Sequence, residues 1–182
     1  MGAPPDPYDA ILRLLAAQRA EHRVFRHRPV LTYADAEAVR REAGFVGTEG
    51  KCLVLKVGAG FAVYTTLQGR RVDFRRIRAH LGGVRVRLAT PDELRSAFGA
   101  EPGNAYPFGF GADVRVFVDP GVYGQDWLLF SPAFPTATVQ VRGRDLPRVF
   151  RSLPNPTEEV TTFNAVDGSA DTPSSTKAPE SR

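Results

Sequence analysis

Residues 51–66, KCLVLKVGAGFAVYTT, hold two apolar runs on either side of a short turn with glycines at 58 and 60. Each run is strand-sized and the glycines permit a tight reversal, so the segment predicts a β-hairpin. The rest of the chain has to be arranged around this pair.

Helical signals flank it. YDAILRLLAAQRA, residues 8–20, places Ile11, Leu14 and Leu15 on one face and predicts a first helix. HRVFRHRP then alternates as a short strand that stops at Pro29. Thr32 and Asp35 form a capping box for a helix over about 33–42, which Gly44 ends. Phe74, Ile77 and Leu81 make a stripe on a short helix with an arginine-rich outer face. In VRVRLATPDELRSAFG a strand leads to Thr90 as N-cap, Pro91 at the first helical position, Glu93 closing the box and Gly99 as terminator. VRVFVD, WLLF and TATVQV read as three further strands, and RDLPRVFRSL as a closing helix. Strands and short helices interleave through hairpin-length links, which predicts an α+β fold with a mixed, mostly antiparallel central sheet flanked by short helices. From Pro154 the chain is rich in Thr, Ser, Pro and acid without apolar periodicity, and it reads as a disordered tail. The folded domain is accordingly expected over 1–153, and truncation after Leu153 is expected to leave it intact.

At 182 residues and 42% apolar content, the chain has the length of one domain with a real core. Its apolar runs fall far short of the roughly 20 residues a membrane span needs. The N-terminus has no basic region ahead of a continuous apolar stretch, so a cytoplasmic location is expected. One cysteine, Cys52, and three scattered histidines give neither an internal disulfide nor metal-ligand spacing. Residues 1–153 carry 22 Lys and Arg against 15 Asp and Glu, or +7, while 154–182 carry 2 against 5, or −3. The basic body suits a polyanion such as a nucleic acid. It is equally consistent with an arginine-rich composition, since 21 of the 24 cations are Arg.

No G-x-S-x-G, P-loop or H-E-x-x-H motif is present, which removes the common nucleophilic and metal-dependent hydrolases. Two features remain. Lys51, one of three lysines, starts an apolar strand, where it serves either as a point charge toward a phosphate or carbonyl or as a solubilising edge residue. EPGNAYPFGFG, residues 101–111, crowds three glycines and two prolines together. Such a loop either exposes amide N–H groups in a fixed arrangement or only links a helix to a strand. Cys52 alternates away from Lys51 and reads as a structural thiol. His27 reads as a support for its strand end.

In order along residues 8–153, FRHRPVLTYADA, GKCLVLK, FAVYTT, RVDFRRIRAHLGGVRVRLATPDEL, GNAYPFG and VRVFVD resemble the YbaK/prolyl-tRNA synthetase editing-domain family. The family's single lysine falls on Lys51, and its G-x-x-x-P loop on Gly103 and Pro107. The resemblance implies a freestanding deacylase that hydrolyses the ester of mischarged tRNA in trans, without metal, cofactor or covalent enzyme intermediate. Its partners would be the aminoacylated 3′ end of tRNA and a prolyl-tRNA synthetase. Lys51 would contact the terminal phosphate or ribose, and backbone groups of 103–107 would hold the carbonyl and orient water. Asn104, Ala105, Tyr106, Phe108, Asp119, Phe130 and Ser131 are the expected substrate contacts. Arg70, Arg71 and Arg75 are the expected tRNA contacts. The sequence departs from alanine-specific members in WLLFSPAFPTATV, which has Phe130 and Ser131 and neither histidine nor asparagine. The competing reading is a non-catalytic tRNA- or synthetase-binding module on the same fold.

Overall fold

A computed structural model describes residues 6–165 of the chain. The elements run α1 (Pro7–Ala17), β1 (His22–Arg26), α2 (Tyr33–Ala43), β2 (Thr48–Val57), β3 (Gly60–Leu67), α3 (Phe74–His80), β4 (Val86–Leu88) and α4 (Pro91–Phe98). They continue with β5 (Arg115–Val118), β6 (Trp127–Phe130), β7 (Ala137–Arg142), α5 (Leu146–Arg151) and β8 (Thr157–Glu159). The sheet order is β1-β7-β6-β2-β3-β5-β8, with β4 also on β2. Four pairings are antiparallel and three parallel, so the sheet is mixed as expected.

Local chemistry fixes most boundaries. Both capping boxes form: Thr32 accepts from the Asp35 N–H, and Thr90 from the Glu93 N–H. Gly44 and Gly99 close those helices in the left-handed conformation. The predicted hairpin pairs from Gly50 opposite Leu67 to Val57 opposite Gly60.

Alternation along the strands divides the core into two faces. Val54, Val63, Val116, Val118, Leu128 and Phe130 point to the face covered by Ile11 and Leu15 of α1, Leu94 and Phe98 of α4, and Val149 and Phe150 of α5. Leu55, Tyr64 and Phe117 point the other way, against Ile77 of α3. Leu129 also faces that second side, under Val39 of α2 and Phe45.

The boundary expected at residue 153 falls too early. Thr157–Glu159 adds a parallel strand to β5, and Val160 and Phe163 are buried beside Tyr64 and Phe117. The pattern concealed this because β8 reads TEE, and the apolar anchors after it are too widely spaced to show a period. The remainder of the expected tail, 166–182, lies outside the described residues. Among the described residues no helix is long and apolar enough to cross a membrane.

Candidate active site

β2 and β6 run parallel but pair only at Thr48 with Leu128 and Glu49 with Leu129. Beyond Glu49 the two strands part, and a cleft of about 420 Å³ opens between Gly50–Cys52 on one side and Phe130–Ser131 on the other. Divergence of adjacent parallel strands is a general way for a sheet to make a crevice. Gly50 sits at the apex because a Cβ there would meet the Leu129 carbonyl at 3.2 Å.

Three further walls complete the cleft. Leu31, Thr32, Ala36 and Val39 form one at α2, His27 and Thr138 another, and Pro102–Ala105 the last. Lys51 lines it from β2, and its Nζ donates to the carbonyl of Arg70 at 3.1 Å.

The 101–105 segment is a turn in which Asn104 N–H donates to the Glu101 carbonyl at 2.9 Å. Pro102 and Gly103 occupy its centre, and Gly103 has φ 85°, as the third position of a type II turn requires. A Cβ on Gly103 would touch nothing within 4 Å, so backbone conformation rather than space selects glycine. Among the described residues the N–H groups of Gly103 and Ala105 have no hydrogen-bond partner. The turn is tied down across the cleft: Glu101 N–H donates to the Ala133 carbonyl, and Ser131 Oγ lies 2.7 Å from Asn104 Oδ1 and from the Phe134 carbonyl.

Of the expected substrate contacts, Asn104, Ala105, Phe130 and Ser131 line the cleft together with Lys51 and Gly103. Two others, Tyr106 and Phe108, turn inward and require correction, as does Pro107 of the G-x-x-x-P loop. Tyr106 is buried with its hydroxyl donating to the Phe98 carbonyl at 2.8 Å. Phe108 is fully buried between Phe130 and Phe150. Pro107 is buried outside the cleft lining. The apolar side chains of YPF pull the middle of the loop into the core, while residues 101–103 and Gly111 stay exposed.

Asp119, also an expected substrate contact, lies in the interior and outside the cleft lining. It is 2% exposed, and its Oδ2 accepts from Thr66 Oγ1 and Asn164 Nδ2, both at 2.7 Å, and from the Arg70 guanidinium. Its Oδ1 accepts from Gly121 N–H at 2.9 Å. Burial alone would raise its pKa, but these donors more than offset that and hold the carboxyl below its ordinary value. Arg70 is thereby engaged with Asp119, while Arg71 and Arg75 are exposed and Arg75 lies 3.8 Å from Asp73.

Cys52 faces Thr65, its Sγ 3.8 Å from the hydroxyl, and burial pushes its thiol up to about 12. It is a protonated thiol at neutral pH, unsuited to attack a carbonyl. His27 lies in the cleft wall, where sequence reading gave it only a supporting role. Its Nδ1 is 2.8 Å from the Arg28 carbonyl, which can only accept, so Nδ1 carries the proton. Its Nε2 lies 3.0 Å from Thr138 Oγ1. Glu49, Gln68 and Thr138 also line the cleft and carried no motif in the sequence. Their convergence depends on strands far apart in the chain.

The chain is 26% identical over 147 residues to a protein of Escherichia coli (strain K12) described as multifunctional Ser/Thr-tRNA deacylase ProXp-y. That match spans 78% of this chain and 87% of the relative, and the O157:H7 counterpart matches equally. The fold is shared with a crystal structure described as a putative trans-editing enzyme for prolyl tRNA synthetase, at TM-score 0.64 and 19% identity. The superposition covers 87% of this chain and 98% of that one. Residues 27–149, which hold every wall of the cleft, match the sequence model of the aminoacyl-tRNA editing domain, and the chain belongs to that family.

Proposed function

We propose that this protein is a trans-acting aminoacyl-tRNA deacylase that hydrolyses the ester of a small amino acid on mischarged tRNA. The observation that carries the reading is the pairing of Lys51 with the unpartnered N–H groups of Gly103 and Ala105 on the walls of one cleft. The Lys51 ammonium meets the terminal phosphate or ribose. The two amides stabilise the oxyanion that forms when water adds to the carbonyl. An ester needs less assistance than an amide, and the ribose hydroxyl next to the scissile bond can move the proton to the leaving oxygen. Positioning and oxyanion stabilisation therefore suffice, without a metal ion or an enzyme nucleophile.

Thr138 and Ser131 give the cleft hydroxyl groups that suit a small, hydroxyl-bearing side chain, in keeping with the Ser/Thr description of the bacterial relative. Editing of this kind answers a physical limit. A synthetase pocket discriminates a missing methylene by only about 1–3 kcal/mol, so a second hydrolytic site is needed. Exposed Arg71 and Arg75 would receive the tRNA backbone, Arg71 following directly on Arg70, whose carbonyl accepts the Lys51 ammonium. The editing domain takes in β8 and the buried Val160 and Phe163 after it, and the protein acts in the cytoplasm, serving prolyl-tRNA synthetase among its partners.

The test is a panel of tRNAs charged with Ser, Thr, Ala, Cys and Pro. Ester loss above background on at least one, abolished by Lys51→Ala, is expected. Binding of tRNA without ester loss on any member would instead identify a non-catalytic module.

A further inference from the structure

An aminoacyl ester differs from a simple acyl ester in carrying an amine on the carbon next to the carbonyl, largely protonated near neutral pH. We infer that Glu49 is the residue that reads this ammonium, a specificity role that rests on the deacylase reading above. Glu49 is the sole carboxylate among the described residues lining the cleft. It sits where the β2–β6 ladder ends, opposite Leu129, and so at the closed end of the crevice. Side chains two apart on a strand share a face, so Glu49 and Lys51 emerge side by side, about 7 Å apart along β2. One acidic and one basic group are thus presented to a ligand that carries an ammonium at one end and a phosphate at the other.

The carboxylate is held but not saturated. Its Oε1 accepts from Arg40 of α2 at 2.5 Å, which fixes the side chain, while Oε2 has no hydrogen-bond partner among the described residues. A carboxylate can accept several donors, so the Arg40 pair leaves room for a second cation. With the ammonium on Glu49 and the phosphate on Lys51, the carbonyl between them is presented to the amides of Gly103 and Ala105 on the facing wall.

The experiment compares kcat/KM for seryl-tRNA with that for its α-hydroxy counterpart, made by nitrous acid deamination, in wild type and in Glu49→Gln. The two esters are nearly isosteric, and intrinsic ester reactivity cancels when the two enzymes' ratios are compared. The misfolded fraction of either preparation cancels as well. The preference of wild type for the amino ester is expected to fall about 10-fold in Glu49→Gln, the scale of a hydrogen bond to a charged group. Arg40→Gln, which breaks the ion pair but keeps the carboxylate, is expected to retain the wild-type preference. An unchanged ratio in Glu49→Gln, with both esters slowed equally, would show that Glu49 only fastens α2 and would overturn the inference. Failure of wild type on every amino ester would remove the deacylase reading, and this inference with it.

Discussion

Lys51 and Asp119 are joined through a single residue: Arg70 accepts the lysine ammonium on its carbonyl oxygen and gives its guanidinium to the buried carboxylate. The cleft lysine is therefore positioned by an anchor on the far side of β3, which in turn gathers Thr66 and Asn164. Asp119→Ala should destabilise the fold by about 3 kcal/mol, because it strands several donors around one buried site. It should also lower deacylation by the folded protein. Urea unfolding gives the first quantity, and single-turnover kinetics well below the denaturation midpoint give the second. An unaltered rate with reduced stability would separate the anchor from the function of Lys51.

Gly103→Ala places a methyl group in open space but on a backbone at φ 85°. The strain is worth about 1–2 kcal/mol and can be relieved by rotating the turn, which re-aims its amides. A small drop in Tm with a loss of kcat exceeding 10-fold is expected. Equal loss of both would mean that the turn only supports the fold.

Phe163 is fully buried against Tyr64, His80 and Phe117. Phe163→Ala should cost about 3–5 kcal/mol. Truncation after Leu153, which removes β8, Phe163 and Asn164 together, should unfold the domain or sharply lower its Tm in a thermal melt. A truncated protein that melts like the full chain would show that these residues add nothing to the core.

The protonated state of Cys52 predicts slow alkylation by iodoacetamide at pH 7, and rates for Cys52→Ala within about twofold of wild type. Rapid modification with parallel loss of activity would return the thiol to the list of nucleophiles.

Acid sensitivity has an identifiable source in the α4 cap. Hydrogen bonds from Arg87 and the Thr90 N–H lower Glu93 from 4.5 to about 2. A depressed folded-state pKa stabilises above the unfolded value, and that contribution is lost as pH falls from about 4.5 toward 2. Denaturant unfolding between pH 6 and 2.5 should therefore show a steeper decline for wild type than for Glu93→Gln. Parallel curves would mean that the capping carboxylate is not coupled to folding.

What could be read from the sequence was what neighbours in the chain decide. The capping boxes at Thr32 and Thr90 and the hairpin around Gly58 are set by residues a few positions apart, and each formed as expected. Lys51 and Gly103 were found by motif, and the structure brings them to one cleft. Tyr106, Pro107 and Phe108 were misplaced because a loop's spacing does not say which of its side chains the core will claim. Glu49, His27 and Thr138 were missed as a group because their proximity depends on where β2 stops pairing with β6. No local pattern records that point. The C-terminal segment was missed for a related reason: Phe163 has a binding place but no periodic neighbours.

The short β2–β6 ladder makes the cleft a seam rather than a hole bored into a packed interior. The two blocks of sheet share one apolar core beneath them, and the seam between them is lined in part by side chains such as Ser131, Thr138 and Ala105 that are not among the fully buried residues. Substrate range in a scaffold of this kind can therefore drift through exchanges along the seam, at small thermodynamic penalty, while the blocks on either side stay as they are.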